Sequence, residues 1–72
     1  MDGRKQKLIA YGAELYRLGL ELDEAKEALR GLVEQGVPYD SAQMRAAYTR
    51  AADLSDRWKA LEAQYLALRR EL

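Results

Sequence analysis

The sequence predicts an all-α fold, an antiparallel two-helix hairpin of coiled-coil type, and three observations predict it. Ala, Leu, Glu, Lys and Arg supply 43 of the 72 residues, the bias of coiled coils and long helices. Only Ile9, Val33, Val37 and Thr49 are β-branched, far too few for a sheet. The single proline, Pro38, stands near the middle of the chain with an apolar stripe of helical period on each side. One domain over 1-72 follows, with helix 1 over about 4-35, a turn at 36-40 and helix 2 over about 41-71.

The first stripe runs Leu8, Tyr11, Leu15, Leu18, Leu22, Ala25, Leu29, Leu32, alternating steps of three and four. These are the a and d positions of about four heptads, a span that marks a coiled-coil seam. Gly19 interrupts helix 1 with a residue that costs ~1 kcal/mol against alanine. The a/d phase nevertheless passes through Leu15, Leu18, Leu22 and Ala25 without a slip. An unbroken helix is therefore expected, although a break there with Asp23 capping a third helix is the competing arrangement.

Next comes a segment with the parts of a helix stop and a helix start. Gly36 suits the left-handed residue just past a helix, and Val37 can reach back to Leu32 in a Schellman motif. Pro38 blocks continuation. Asp40 is the expected N-cap, with Gln43 closing a capping box and Tyr39 and Met44 forming a hydrophobic staple.

The second stripe, Met44, Ala47, Ala51, Leu54, Trp58, Leu61, Tyr65, Leu68 and Leu72, has the same period. Folding at Pro38 pairs residues whose numbers sum to 76, so Leu32 meets Met44, Leu22 meets Leu54, Leu18 meets Trp58 and Leu8 meets Leu68. Every a/d residue of helix 1 then finds an apolar partner. The flanking g positions set Glu21 near Arg57 and Lys7 near Glu71, with opposite charges in both cases, while Lys5 near Arg69 leaves the open end basic.

A hairpin has one shared seam, and a chain this short rarely draws more than ~3–5 kcal/mol from a single core. A second copy is the remaining way to complete it. Helix 1 offers a second stripe, Ile9, Ala13, Tyr16 and Leu20, centred roughly 170° from the seam at 100° per residue. Gly12 and Gly19 lie between the stripes, where they would admit another backbone. Tyr48, Ala52 and Leu66 occupy the corresponding flank of helix 2. Exposed apolar stripes of this kind mark interfaces. The partner interface is thus expected at Ile9, Gly12, Ala13, Tyr16, Gly19, Leu20, Tyr48, Ala52 and Leu66, with a homodimeric four-helix bundle as the assembly.

The functional expectation is a non-catalytic protein–protein interaction module. With no cysteine and no histidine, the chain lacks a thiol nucleophile, a disulfide framework, and the commonest general base and metal ligand. The acids Glu21, Asp23, Glu24 and Glu27 fall outside the a/d seam and read as a solvated face rather than a bundle metal site. No phosphate-cradling glycine pattern occurs, so neither a cofactor nor a small-molecule substrate is expected. The longest apolar run, Leu8 to Ala13, is six residues, too short for a bilayer, and a cytoplasmic location is expected.

Two alternatives stand beside self-association. One is a small regulator that docks on a heterologous signalling protein. The architecture is similar to helical hairpins that sequester or dephosphorylate bacterial response regulators. Their Ser-x-Glu-Leu-Asp motif has no counterpart here, the nearest segment being Asp53-Leu54-Ser55-Asp56-Arg57-Trp58. The other is weak nucleic-acid binding through Arg4, Lys5, Lys7, Arg69 and Arg70 at the open end. Twelve basic residues balanced by twelve acidic ones argue against it, because binders of this kind carry a one-sided positive field.

Overall fold

In a computed structural model, residues 3–72 are described; Met1 and Asp2 of the expected 1-72 domain lie outside the described residues. Two helices pack against each other, α1 over Gly3–Glu34 and α2 over Ala42–Arg70, with 32 and 29 residues. They run antiparallel. Gly12 faces Tyr65 and Gly19 faces Trp58, and Arg4 Nη1 lies 4.0 Å from Glu71 Oε2, so contacts advance on one helix as they retreat on the other. α1 continues through Gly19 without interruption, and the three-helix alternative is not formed.

The a/d pattern places the core. Leu18, Leu22 and Ala25 of α1 and Ala51 and Leu54 of α2 are buried in one cluster, with Trp58 and Leu61 packed against it. Met44 is buried nearer the turn. The outer members of the stripes, from Leu8 and Tyr11 to Tyr65 and Leu68, are half-buried. Leu72 is the exception: α2 ends at Arg70, and Leu72 lies half-exposed beyond the seam.

The end of α1 has the expected Schellman geometry. Gly36 sits at φ 76°; its N–H donates to Val33 O at 3.0 Å, and the Val37 N–H donates to Leu32 O at 3.0 Å. These bonds satisfy two carbonyls that a helix end leaves without partners.

The start of α2 differs from the expectation by one residue. Ser41, not Asp40, is the N-cap, in extended conformation, and its Oγ accepts from the Met44 N–H at 3.1 Å. The box of Asp40 with Gln43 is therefore displaced, and the staple of Tyr39 on Met44 is out of phase. Tyr39 is instead among the most exposed large side chains. Both Asp40 and Ser41 are good capping residues; the Ser41 N–H bonds to Pro38 O at 3.1 Å, and this turn carries the chain one residue further before the helix starts.

The expected ion pairs across the seam also rearrange. Arg17 holds Glu14 through two bonds and Glu21 through a third at 3.2 Å. Arg57 Nε lies 3.2 Å from Asp53, and Glu71 approaches Arg4 rather than Lys7. Residues three or four apart are neighbours on a helix surface, which puts these partners within direct reach. The Arg17 guanidinium is held above its usual range, first by the hydrogen bond to Glu14, then by the charges of Glu14 and Glu21. Register is left to the apolar seam.

Replacing Ser41 by Ala is expected to cost about 1 kcal/mol, about 4–8 °C in melting temperature, whereas Asp40→Ala changes it by much less. Thermal unfolding followed by circular dichroism separates them; equal losses would return the cap to Asp40.

Candidate interaction face

Heptad geometry divides the hairpin surface into two flanks. In an antiparallel pair the e positions of the two helices share one flank and the g positions the other. The g flank is polar, with Lys7, Glu14 and Glu21 from α1 and Arg50, Arg57, Gln64 and Glu71 from α2. The e flank, with the adjoining b positions, is different. Interspersed with the charged Asp23, Lys26, Arg30, Lys59 and Glu62, it carries Ile9, Gly12, Tyr16, Gly19 and Val33 from α1 and Tyr48, Ala52 and Leu66 from α2. Ile9 is 73% exposed, Tyr16 72%, Tyr48 65% and Leu66 41%. A single-chain hairpin therefore leaves its largest uncovered apolar side chains together on one side.

This placement modifies the expectation from sequence. A stripe centred opposite the seam would lie on the back of α1. Instead, Tyr16, Gly19 and Leu20 line one shallow depression with Leu15 and with Trp58 of α2. The apolar surface thus wraps from the outer edge of α1 onto the e flank and meets the second helix. Ala13 and Leu20 form its outer edge, both exposed.

The glycines also act differently. A Cβ on Gly12 would lie 3.6 Å from Tyr65 Cε2, and one on Gly19 would lie 3.6 Å from Trp58 Nε1. Both glycines, seven residues apart, underlie aromatic rings of α2 that are also seven apart. What their sequence positions suggested as access for a foreign backbone is occupied by the chain's own tyrosine and tryptophan. Trp58 consequently serves two surfaces: one side packs on the core and the other lines depressions open to solvent.

A second apolar feature, unanticipated from the sequence, lies at the turn end of the same flank. Leu29, Val33, Tyr39, Met44, Arg45, Tyr48 and Thr49 line a groove of about 450 Å³. Val33 is 45% exposed and Tyr39 78%. The signal was present, since Val33 and Tyr48 are both e residues beside the turn. Tyr39 and the buried Met44 both line the groove.

No group of three or more metal-ligating side chains converges among the described residues, and Glu27 pairs with Arg30 at 3.2 Å. No buried polar side chain lacks a hydrogen-bond partner among them either. The basic residues of the open end are exposed, with Glu71 among them. No helix is long and apolar enough to cross a membrane among the described residues. Comparison with family models, curated proteins and solved structures finds no match.

The 3.6 Å separation at Gly19 is ordinary van der Waals contact. Gly19→Ala is therefore expected to raise stability to urea by about 0.5–1 kcal/mol, the usual difference between these residues inside a helix. A loss of stability would mean that Trp58 sits closer to α1 than this contact allows.

Proposed function

We propose that this chain is a non-catalytic interaction module that self-associates through its e flank into a four-helix bundle. One observation carries the reading: the exposed Ile9, Tyr16, Tyr48 and Leu66 share a flank beside a core of six buried apolar side chains among the described residues.

The dimensions support it. The hairpin extends 54 × 15 × 14 Å with a radius of gyration of 16.1 Å, whereas a compact chain of this length has a radius near 11 Å. Its accessible surface is 5564 Å², about 1,000 Å² more than the scaling for folded monomers of this mass. A standard protein interface takes about 800 Å² from each partner. One layer of helices is thus short of cover by about the area that one partner supplies.

The direction of the uncovered seam fits a bundle. Positions b and e centre about 100° around the helix from the a/d seam, close to the right angle that a square arrangement of four helices requires. Apolar residues at a, d and e or b make the broad stripe of a bundle helix rather than the narrow one of a two-stranded coil.

Sedimentation equilibrium tests this reading. The wild-type chain of 8.2 kDa is expected at twice that mass, and Tyr16→Glu with Leu20→Glu is expected to yield monomer or unfolded chain. A folded wild-type monomer at high micromolar concentration contradicts self-association and turns the same flank toward a heterologous protein.

A further inference from the structure

Resting on self-association, we infer that the turn-end groove is the receptor for Ile9 of a second copy. The two hairpins stack on their e flanks with turns at opposite ends. Each groove then receives the other copy's open end.

Two orientations keep twofold symmetry when such flanks are stacked. With turns at the same end, α1 lies over the partner's α2; with turns at opposite ends, α1 lies over the partner's α1. Charge separates them. Among residues 1–13 and 63–72, five basic side chains face two acidic, a net of +3. Residues 27–50, around the turn, carry three of each sign, a net of zero, with Glu34 and Asp40 at the tip. Stacking turns together would press two ends of +3 against each other at separations within a Debye length, where repulsion is little screened. The opposed stack sets each basic end beside a neutral one.

Spacing agrees with the opposed stack. Ile9 and Val33 are 24 residues apart on one helix, about 36 Å at 1.5 Å per residue. A twofold axis near the level of Glu21 places Ile9 on the partner's Val33 and, by the same symmetry, Val33 on the partner's Ile9. Tyr16 then falls opposite the partner's Lys26, an ammonium on an aromatic ring, and Asp23 falls opposite the partner's Gly19. Like charges do not meet along this seam of α1. The groove of about 450 Å³ has an exposed tyrosine on two sides, room for the branched side chain that Ile9 presents.

The chain has no cysteine, so paired thiols can be introduced without background. After sedimentation has established the mass of each reduced variant, Ile9→Cys with Val33→Cys and Ile9→Cys alone are treated with a short bifunctional thiol cross-linker. Positions 9 and 33 cannot bridge within one chain at about 36 Å. Near-complete conversion of the 9/33 variant to covalent dimer, with Ile9→Cys alone staying uncoupled because its two copies then lie about 36 Å apart, supports the opposed stack. Conversion of Ile9→Cys alone, whose two copies come level only with turns at the same end, overturns the orientation while leaving the dimer intact. A dimer that neither variant couples also overturns it. A wild-type monomer overturns both this inference and the reading beneath it.

Discussion

Everything in this molecule depends on one apolar seam between two helices. Isolated helices are marginal in water, and most of their stability in proteins comes from burying one face. Here that burial comes from a single line of contact, centred on Leu18, Leu22, Ala25, Ala51 and Leu54. Ala25 and Ala51 at its middle bring the backbones together, and larger residues to either side fill the space as the helices continue. The Schellman turn at Gly36 and the Ser41 cap set where the chain reverses. The ion pairs do not choose the register, since Arg17 and Arg57 take acidic partners on their own helices.

The same seam explains what is left uncovered. With only two helices, a and d residues meet a partner and b and e residues do not. Polar side chains at all b and e positions would complete a solvated hairpin. This chain instead places isoleucine, valine, two tyrosines and leucine among them. Tyr65 and Trp58 of α2 lie against Gly12 and Gly19 on that flank, extending the apolar surface between the helices. The uncovered flank is thus continuous with the core through Trp58.

The fold was legible because helical period and turn chemistry are local signals. Eight a/d residues on α1 and eight on α2 indicate the seam, and the Gly36-Val37-Pro38 order indicates the stop. What escaped the sequence was settled by geometry beyond a few residues. Asp40 and Ser41 are both competent caps, and only the turn conformation chooses between them. Glu21 and Arg57 each have a partner across the seam and another along the helix, and side-chain reach favours the nearer. The exposed apolar residues were legible one by one, but their common flank was not. Placing Tyr16 and Leu20 beside Trp58 requires knowing how the second helix lies against the first, and so does bringing Leu29 and Val33 of α1 to one groove with Tyr48 of α2.

The central claim is that this hairpin is half of a folded unit, so that its stability is linked to association. That linkage appears directly in the melting temperature as a function of protein concentration, followed by the helical circular-dichroism signal. If folding and pairing are coupled, mass action requires the melting temperature to rise steadily with concentration. A cooperative melt whose midpoint stays constant from low to high micromolar concentration would show that the single seam suffices, and would contradict the account.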